Sequence, residues 1–265
     1  MLKKLLENVK KNEEIVVIDG GSTDGTKEYL KNLKKIKKIS YFMSEPDRGE
    51  ADAYNKGIAH SNGLLIKPIS DDDVFYYPGI ETCKEFMLKH PSIDLLGTEG
   101  AATYMNGELG APSKYASAYM IWLKTKKPFS FCGLGLLIRR SSFSKTGLFN
   151  PNYKRVDMEY TLRATSKKIN LAWYTGMNFI RIINPGSNSF NNYFEINLEG
   201  FTLENQYLKN NSFYQIPFIY IKSFFVYIFK AFIKQAFKKN IKNTLLISEK
   251  KLLNMNKHSK PRFIY

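Results

Sequence analysis

Cysteine is almost missing from this chain: Cys83 and Cys132 are the only two in 265 residues. Their spacing suits no metal, and two thiols in a chain of this length define no disulfide framework, so a reducing compartment is the default expectation. Histidine is as scarce. His60, His90 and His258 are too scattered to suggest a metal cluster and read as surface or packing residues. Acidic residues are in deficit, 24 against 40 Lys and Arg, and the resulting charge of +16 favours an anionic partner. No uninterrupted apolar run approaches the roughly 20 residues of a transmembrane helix. The opening Met1-Leu2-Lys3-Lys4-Leu5-Leu6 is broken by Glu7 and Lys10 too soon for a secretory signal. Glycine-rich nucleotide loops are missing too. Gly20 and Gly25 have the outer spacing of a P-loop, but Thr26-Lys27 follows where Gly-Lys-Ser/Thr would be needed, and there is no Gly-x-Gly-x-x-Gly.

What is present reads as one α/β unit of ordinary size with an appendage. Ala51, Tyr54 and Ile58 recur at helical spacing, as do Ile80, Cys83 and Met87, while Ile93–Leu96, Leu136–Ile138 and Phe179–Ile183 read as strands. Strands alternating with helices indicate an α/β sheet. Between Thr98 and Pro128, Tyr104, Tyr115, Tyr119 and Trp122 sit among glycines. Core packing accounts for most of these aromatics. Asn184–Ser189 reads as a turn built on Pro185 and Gly186.

Acids gather at two strand ends. An apolar strand from Glu14 ends in Asp19-Gly20-Gly21-Ser22-Thr23-Asp24-Gly25, where Ser22 or Thr23 is expected to cap a helix through Lys27 and Leu33. A second run, Leu64–Ser70, reads as a short buried strand leading into Asp71-Asp72-Asp73. Three neighbouring carboxylates repel one another, and a hard divalent cation completed by a diphosphate would remove that cost. A solvated acidic turn explains the same run equally well. Carboxyl ends of strands are where open α/β sheets bind ligands.

Asp19–Thr26, then Ser44-Glu45-Pro46-Asp47-Arg48-Gly49, then Asp52–Ile58 and Asp71–Asp73 resemble, in order and spacing, the family 2 glycosyltransferases of the GT-A fold. Weaker likeness continues through Gly133–Ser141, Gly147–Asn150 and Asp157–Arg163. The resemblance implies a mixed sheet flanked by helices and the transfer of a sugar from a nucleoside diphosphate donor with Mn²⁺ or Mg²⁺. It implies that Asp19, Asp47, Arg48 and Asp72 contact the donor, that Asp72 and Asp73 hold the metal, and that Asp157 is the catalytic base. Ser70 falls at the motif's first acid, which leaves Asp71 a secondary candidate, as is Glu159. Val156 stands where the family usually has an acid beside the base. Asp157 read on its own residues is equally an N-cap of a helix Met158–Lys168. Relatives open with an apolar strand and helix before Glu14, and Met1 falls within that helix, so a strand and part of the donor site are expected to be missing. A non-catalytic membrane- or glycan-binding relative, inactive through that shortening, is the competing expectation.

From Ile216 to Phe237 the chain is rich in aromatics, with Lys222, Lys230, Lys234 and Lys238 on one side of a helix and Phe225, Phe229 and Phe232 on the rest. Such a basic amphipathic helix suits an anionic membrane surface. The expected organisation is therefore a GT-A-like unit over 1–205 and a membrane-associating segment over 206–265, working at the inner face of a membrane on a glycan or lipid-linked acceptor. Nucleic acid is disfavoured. No recognisable binding motif accompanies the basic residues, and acids at strand ends would repel a polyanion.

Overall fold

The structure, a computed structural model, describes residues 2–104, 108–110, 112–183, 192–208, 217–218, 220–222, 224–225, 241–257 and 259–265. After helix α1 (Leu2–Asn8), strand β1 (Val16–Asp19) pairs in parallel with β2 (Tyr41–Ser44) through the crossover helix α2 (Thr26–Lys35). Leu30 and Leu33 of α2 are buried with Ile15 and Ile39, and Leu2, Leu5 and Leu6 of α1 pack on the same cluster. The start of α2 differs from expectation. The helix begins only at Thr26, too far on for Ser22 or Thr23 to cap it, and the N–H and hydroxyl of Ser22 are given to Asp19. Gly25, in the left-handed region at φ 92, takes the N-cap position, and Asp24 accepts from Thr26 instead.

The larger sheet is mixed. Its strands β3 (Leu65–Ile66), β4 (Val74–Phe75), β5 (Leu95–Tyr104), β6 (Leu137–Arg139) and β7 (Leu171–Ile183) lie in the order β3-β6-β5-β7-β4, with β8 (Phe263–Ile264) beside β7. Only β5 and β7 are parallel neighbours, and they are the long strands. Both their faces are covered, which is why they read as apolar runs without alternation. On one face Leu95 and Trp173 pack with α3 (Glu50–Ala59), α5 (Tyr115–Thr125) and α7 (Val156–Thr165). On the other Leu96, Ala172 and Tyr174 meet Cys83, Phe86 and Met87 of α4 (Tyr77–Lys89). Trp173 is fully buried and donates its indole N–H to Glu99, while the Tyr119 hydroxyl donates to Leu171 O at 2.7 Å. Tyr119 and Trp122 are thus core residues. After the short α6 (Phe143–Thr146) and α7, α8 (Tyr193–Leu208) packs Leu203 on Met158 and Leu162. Helix α9 (Ile241–Lys257) covers Ile180 and Ile182 with Leu252.

Two boundaries move. The Leu64–Ser70 run contributes only the two residues of β3, because Pro68 has no N–H for a ladder, and the strand expected at 93–96 runs on to Tyr104. The division expected at 205/206 falls inside α8, and α9 and β8 pack back on β7, so residues 241–265 belong to the α/β body. The turn at 184–189 and most of the amphipathic run 216–237 lie outside the described residues. Of that run, Phe218, Tyr220, Ile221, Phe224 and Phe225 are helical and each more than half exposed. No described helix is long and apolar enough to cross a membrane.

The two sheets do not join. Ile15 O and Asp19 O accept from β2 and the segment after it, so by alternation the backbone groups of Val16 and Ile18 point the other way. Leu64 O accepts from Arg140 N, so those of Leu65 likewise point away from β6. Between these edges lies a cavity of about 2030 Å³ lined by Val16–Asp19 and Leu64–Pro68. The Glu14 carboxylate bridges one end by accepting from the N–H groups of Asn62 and Gly63. Hydrogen exchange should therefore find the amides of Val16, Ile18 and Leu65 at least about 100-fold less protected than those of Leu95–Thr103. Equal protection would mean that the sheets close on each other.

Candidate active site

The cavity between the sheets continues to the carboxyl ends of the strands, where it is lined by Asp19, Glu50, Asp71, Asp72, Asp73 and Asp157. Residues far apart in the chain meet there because β1, β3 and the start of α7 all end at its rim. Asp19 closes β1. It accepts from Ser22 N at 3.1 Å and from the hydroxyls of Ser22 and Ser44. Burial raises its pKa, and these hydrogen bonds outweigh that and hold it below the usual carboxylate range. Asp47 is placed beside this corner: it accepts from Gly49 N at 2.9 Å, and a side chain at Gly20 would come within 3.0 Å of its carboxylate. Arg48 is exposed and pairs with Asp52 at 3.4 Å. Neither Asp47 nor Arg48 lines the cavity itself.

The three adjacent acids divide. Asp71 is exposed and Asp72 half-buried, and burial and then the Asp71 charge raise the pKa of Asp72. Asp73 is the most enclosed of the three. It is 5 % exposed, with one oxygen accepting from the Ser70 hydroxyl at 2.6 Å and the other from Ile182 N at 2.8 Å. Burial pushes its carboxyl up to about 6, against the pull of those bonds. One lone pair on each oxygen ties the loop to β7, and Asp73 lines the cavity together with Asp72 and Asp71. Among the described residues no group of three His, Cys, Asp or Glu side chains is set to hold a metal. One or two carboxylates fit an ion whose shell is completed by substrate phosphate, the usual arrangement for Mg²⁺.

Asp157 is not an N-cap. Arg155 takes that position, and Asp157 stands in the first turn of α7, half-buried. One oxygen accepts from Met158 N at 2.7 Å and the other from Gly133 N at 3.1 Å. Gly133 is required for this approach, because a Cβ there would meet that of Asp157 at 3.0 Å. Cys132 beside it is no nucleophile: burial and the Asp157 charge push its thiol up to about 12.

Some site residues had no motif to mark them. Glu50 opens α3 and is exposed to the cleft while protein walls surround it. That enclosure raises its pKa, the Tyr54 hydroxyl at 2.7 Å offsets it, and Asp157, Asp73 and Asp72 raise it further. Arg181, near the end of β7, lines the cavity and lowers the pKa of Asp73. The sole signal for Lys67, a third such residue, is a charge inside an apolar run. Glu159 belongs elsewhere. It is 2 % exposed, ion-paired with Arg163 at 2.7 Å and bonded by Tyr207, on the side of α7 that faces α8. Two positions from Asp157 on a helix, it points away from the cleft. Glu159→Ala should lower stability by about 2–3 kcal/mol in denaturant titrations, since the half-buried Arg163 would lose its carboxylate and keep only the carbonyls of Thr146 and Leu148. Asp157→Asn should cost about 1 kcal/mol.

Comparison with known proteins agrees with this geometry. The profile described as "Glycosyl transferase family 2" matches residues 1–147. An uncharacterized glycosyltransferase of Haemophilus influenzae is 27% identical over 185 residues, 68% of this chain and 72% of that protein. Shorter stretches match rickettsial glycosyltransferases: one of Rickettsia bellii is 33% identical over 37% of this chain, which spans 15% of that relative's length. Among solved structures, S. aureus TarS 1-349 in complex with UDP-GlcNAc superposes with a TM-score of 0.54 at 14% identity, covering 80% of this chain and 71% of that one. Mannosyltransferase PcManGT from Pyrobaculum calidifontis, in complex with GDP-Man and Mn²⁺, does so at 0.55 and 13% identity, covering 95% and 83%. At these identities the structures speak for the fold alone, a GT-A-like mixed sheet flanked by helices. With a family profile covering more than half of its residues, the chain belongs to glycosyl transferase family 2.

Proposed function

We propose that this protein moves a sugar from a nucleoside diphosphate donor to a hydroxyl of a cell-surface glycan precursor, in one displacement that inverts the anomeric centre. The observation that carries the reading is the shared cavity of Asp19, Asp72 and Asp157. Asp19, kept ionised by its hydrogen bonds, suits the hydroxyls or base of a nucleoside, with the Asp47–Arg48 loop beside it. Asp72, with Asp71, would hold Mn²⁺ or Mg²⁺, which when bound supplies Lewis-acid stabilisation of charge on the leaving diphosphate. Arg181 offers a fixed cation on the same wall. Asp157 takes the proton from the acceptor hydroxyl as its oxygen bonds to the anomeric carbon, and the electron pair of the breaking C–O bond leaves with the diphosphate. TarS and PcManGT, whose structures contain UDP-GlcNAc and GDP-Man, motivate the donor class.

The exposed aromatic residues between 218 and 225, with the lysines of the surrounding run, support attachment to an anionic membrane surface, which would bring the site to a lipid-linked acceptor at the inner face. The competing reading, a non-catalytic membrane- or glycan-binding relative, draws on the unjoined sheets, because the gap forms part of the cleft wall.

A panel of nucleotide sugars with Mn²⁺ or Mg²⁺ separates the two. Metal-dependent release of nucleoside diphosphate is expected, lost at least about 100-fold in Asp157→Asn and in Asp72→Asn. Folded protein that neither binds nor cleaves any donor would establish the non-catalytic reading. For the membrane, the full chain should float with liposomes rich in anionic lipid and release in high salt. Equal recovery of a variant with Lys222, Lys230, Lys234 and Lys238 changed to Gln would contradict the attachment.

A further inference from the structure

Lys67 is the one charged residue in the run Leu64–Ile69, where an aliphatic side chain would pack without the cost of desolvating an ammonium. Its Nζ donates to the carbonyl of Leu134 and lies 5.3 Å from the centre of the Phe75 ring. No carboxylate pairs with it among the described ion pairs. Leu134 is the middle residue of the tight 3-10 turn Gly133–Gly135, closed by Gly135 N to Cys132 O at 3.0 Å and Leu136 N to Gly133 O at 3.0 Å. The first residue of that turn is the one whose N–H holds Asp157 at 3.1 Å. Two consecutive hydrogen bonds on one tight turn thus connect a half-buried cation to the candidate base.

We propose that Lys67 is a positioning residue for catalysis: by holding the Leu134 carbonyl it fixes the Gly133–Gly135 turn, and through the Gly133 N–H it fixes the orientation of the Asp157 carboxylate toward the acceptor. The proposal rests on the reading of Asp157 as the base. The contact explains why a lysine follows β3 in an otherwise apolar run. A methionine would fill the space but leave the Leu134 carbonyl without this donor, and the turn free to shift away from α7. Burial brings the Lys67 ammonium down to about 8, so the clamp is mostly protonated at neutral pH and weakens in mild alkali. The titratable groups facing it are the buried Cys83 of α4 and the half-buried Cys132 ahead of the turn, both thiols pushed up to about 12 and therefore neutral across that range. Beyond Cys132 lie Asp157 of α7, Arg181 of β7 and Asp73.

The test uses the full chain with Lys67→Met, Lys67→Arg and Asp157→Asn, first by amide exchange and then by donor turnover. In Lys67→Met the Gly133 and Gly135 amides should exchange at least about tenfold faster than in the wild type while those of β5 do not change. Unchanged exchange at the turn overturns the proposal, whatever the role of Asp157. With a cleavable nucleotide sugar, Lys67→Met should lose at least about tenfold in kcat with little change in the donor KM. Lys67→Arg, which stays charged, should recover most of the rate and keep it at pH 9, where the wild type declines. If Asp157→Asn is inactive and Lys67→Met turns over like the wild type, the positioning role fails and the base survives. An active Asp157→Asn instead removes the base reading, and the exchange result alone then judges the clamp. A Lys67→Met variant that is destabilised throughout would lose protection in β5 as well, and Lys67→Arg then decides through its pH profile.

Discussion

The parallel ladder between β5 and β7 is the constraint on which the cleft depends. Ten residues of β5, Leu95 to Tyr104, are in register with β7, and the pairing shifts at Thr98 and Glu99. At that irregularity the Gly133–Gly135 turn is seated: a side chain on Gly135 would come within 2.9 Å of Thr98 O, so the turn lies directly on the β5 backbone. The turn in turn meets Asp157 through Gly133, and Asp73 is bound to β7 through Ile182 N. Both acidic walls of the site are thereby referenced to one pair of strands. Burial of Trp173 beneath them, with its indole N–H satisfied by Glu99, makes that pair the rigid part of the molecule.

A chain with a surplus of 16 positive charges gathers carboxylates in its main cavity at the ends of β1 and β3 and the start of α7, beside Lys67 and Arg181. Protein enclosure raises the pKa of Glu50, Asp72 and Asp73, each in the neighbourhood of another acid. Such a set is costly unless something cationic enters with the substrate, and a divalent ion carried with a diphosphate meets that requirement while leaving Asp157 free to accept a proton. The acids differ in setting: Asp19 is held below the usual carboxylate range by its hydrogen bonds, Asp73 is bonded to Ser70 and Ile182 N, and Asp72 is half-buried.

The α/β class and the positions of α3, α4, β5 and β6 were legible in the chain, because Ala51 and Ile58, Cys83 and Met87, and the Leu95–Leu96 pair follow the periods of their elements. The meeting of Asp19, Asp73 and Asp157 at one cavity was legible through motif order alone, since nothing local links them. Hydrogen-bond assignment was not. Ser22 resembles a cap, but the helix begins beyond it at Thr26 and Ser22 donates to Asp19 instead, while the bonds of Asp73 to Ser70 and Ile182 have no local signal. These outcomes depend on partners up to 109 positions away. Glu159 shows the same limit, because only the packing of α8 against α7 tells which side of the helix is inside. Lys67 left a trace in the sequence, a charge in an apolar run, whose meaning needed the Leu134 carbonyl to be seen.

The central claim is that the three aspartates surround one donor. A crystal structure of the protein with a nucleoside diphosphate and Mn²⁺, using the anomalous signal of the metal, tests it most directly. The account predicts the metal peak within bonding distance of an Asp72 oxygen and of the diphosphate, the nucleoside against Asp19, and the Asp157 carboxylate open to the site beyond the terminal phosphate. A metal bound away from Asp72, or a nucleotide seated outside the cavity between the two sheets, would contradict it.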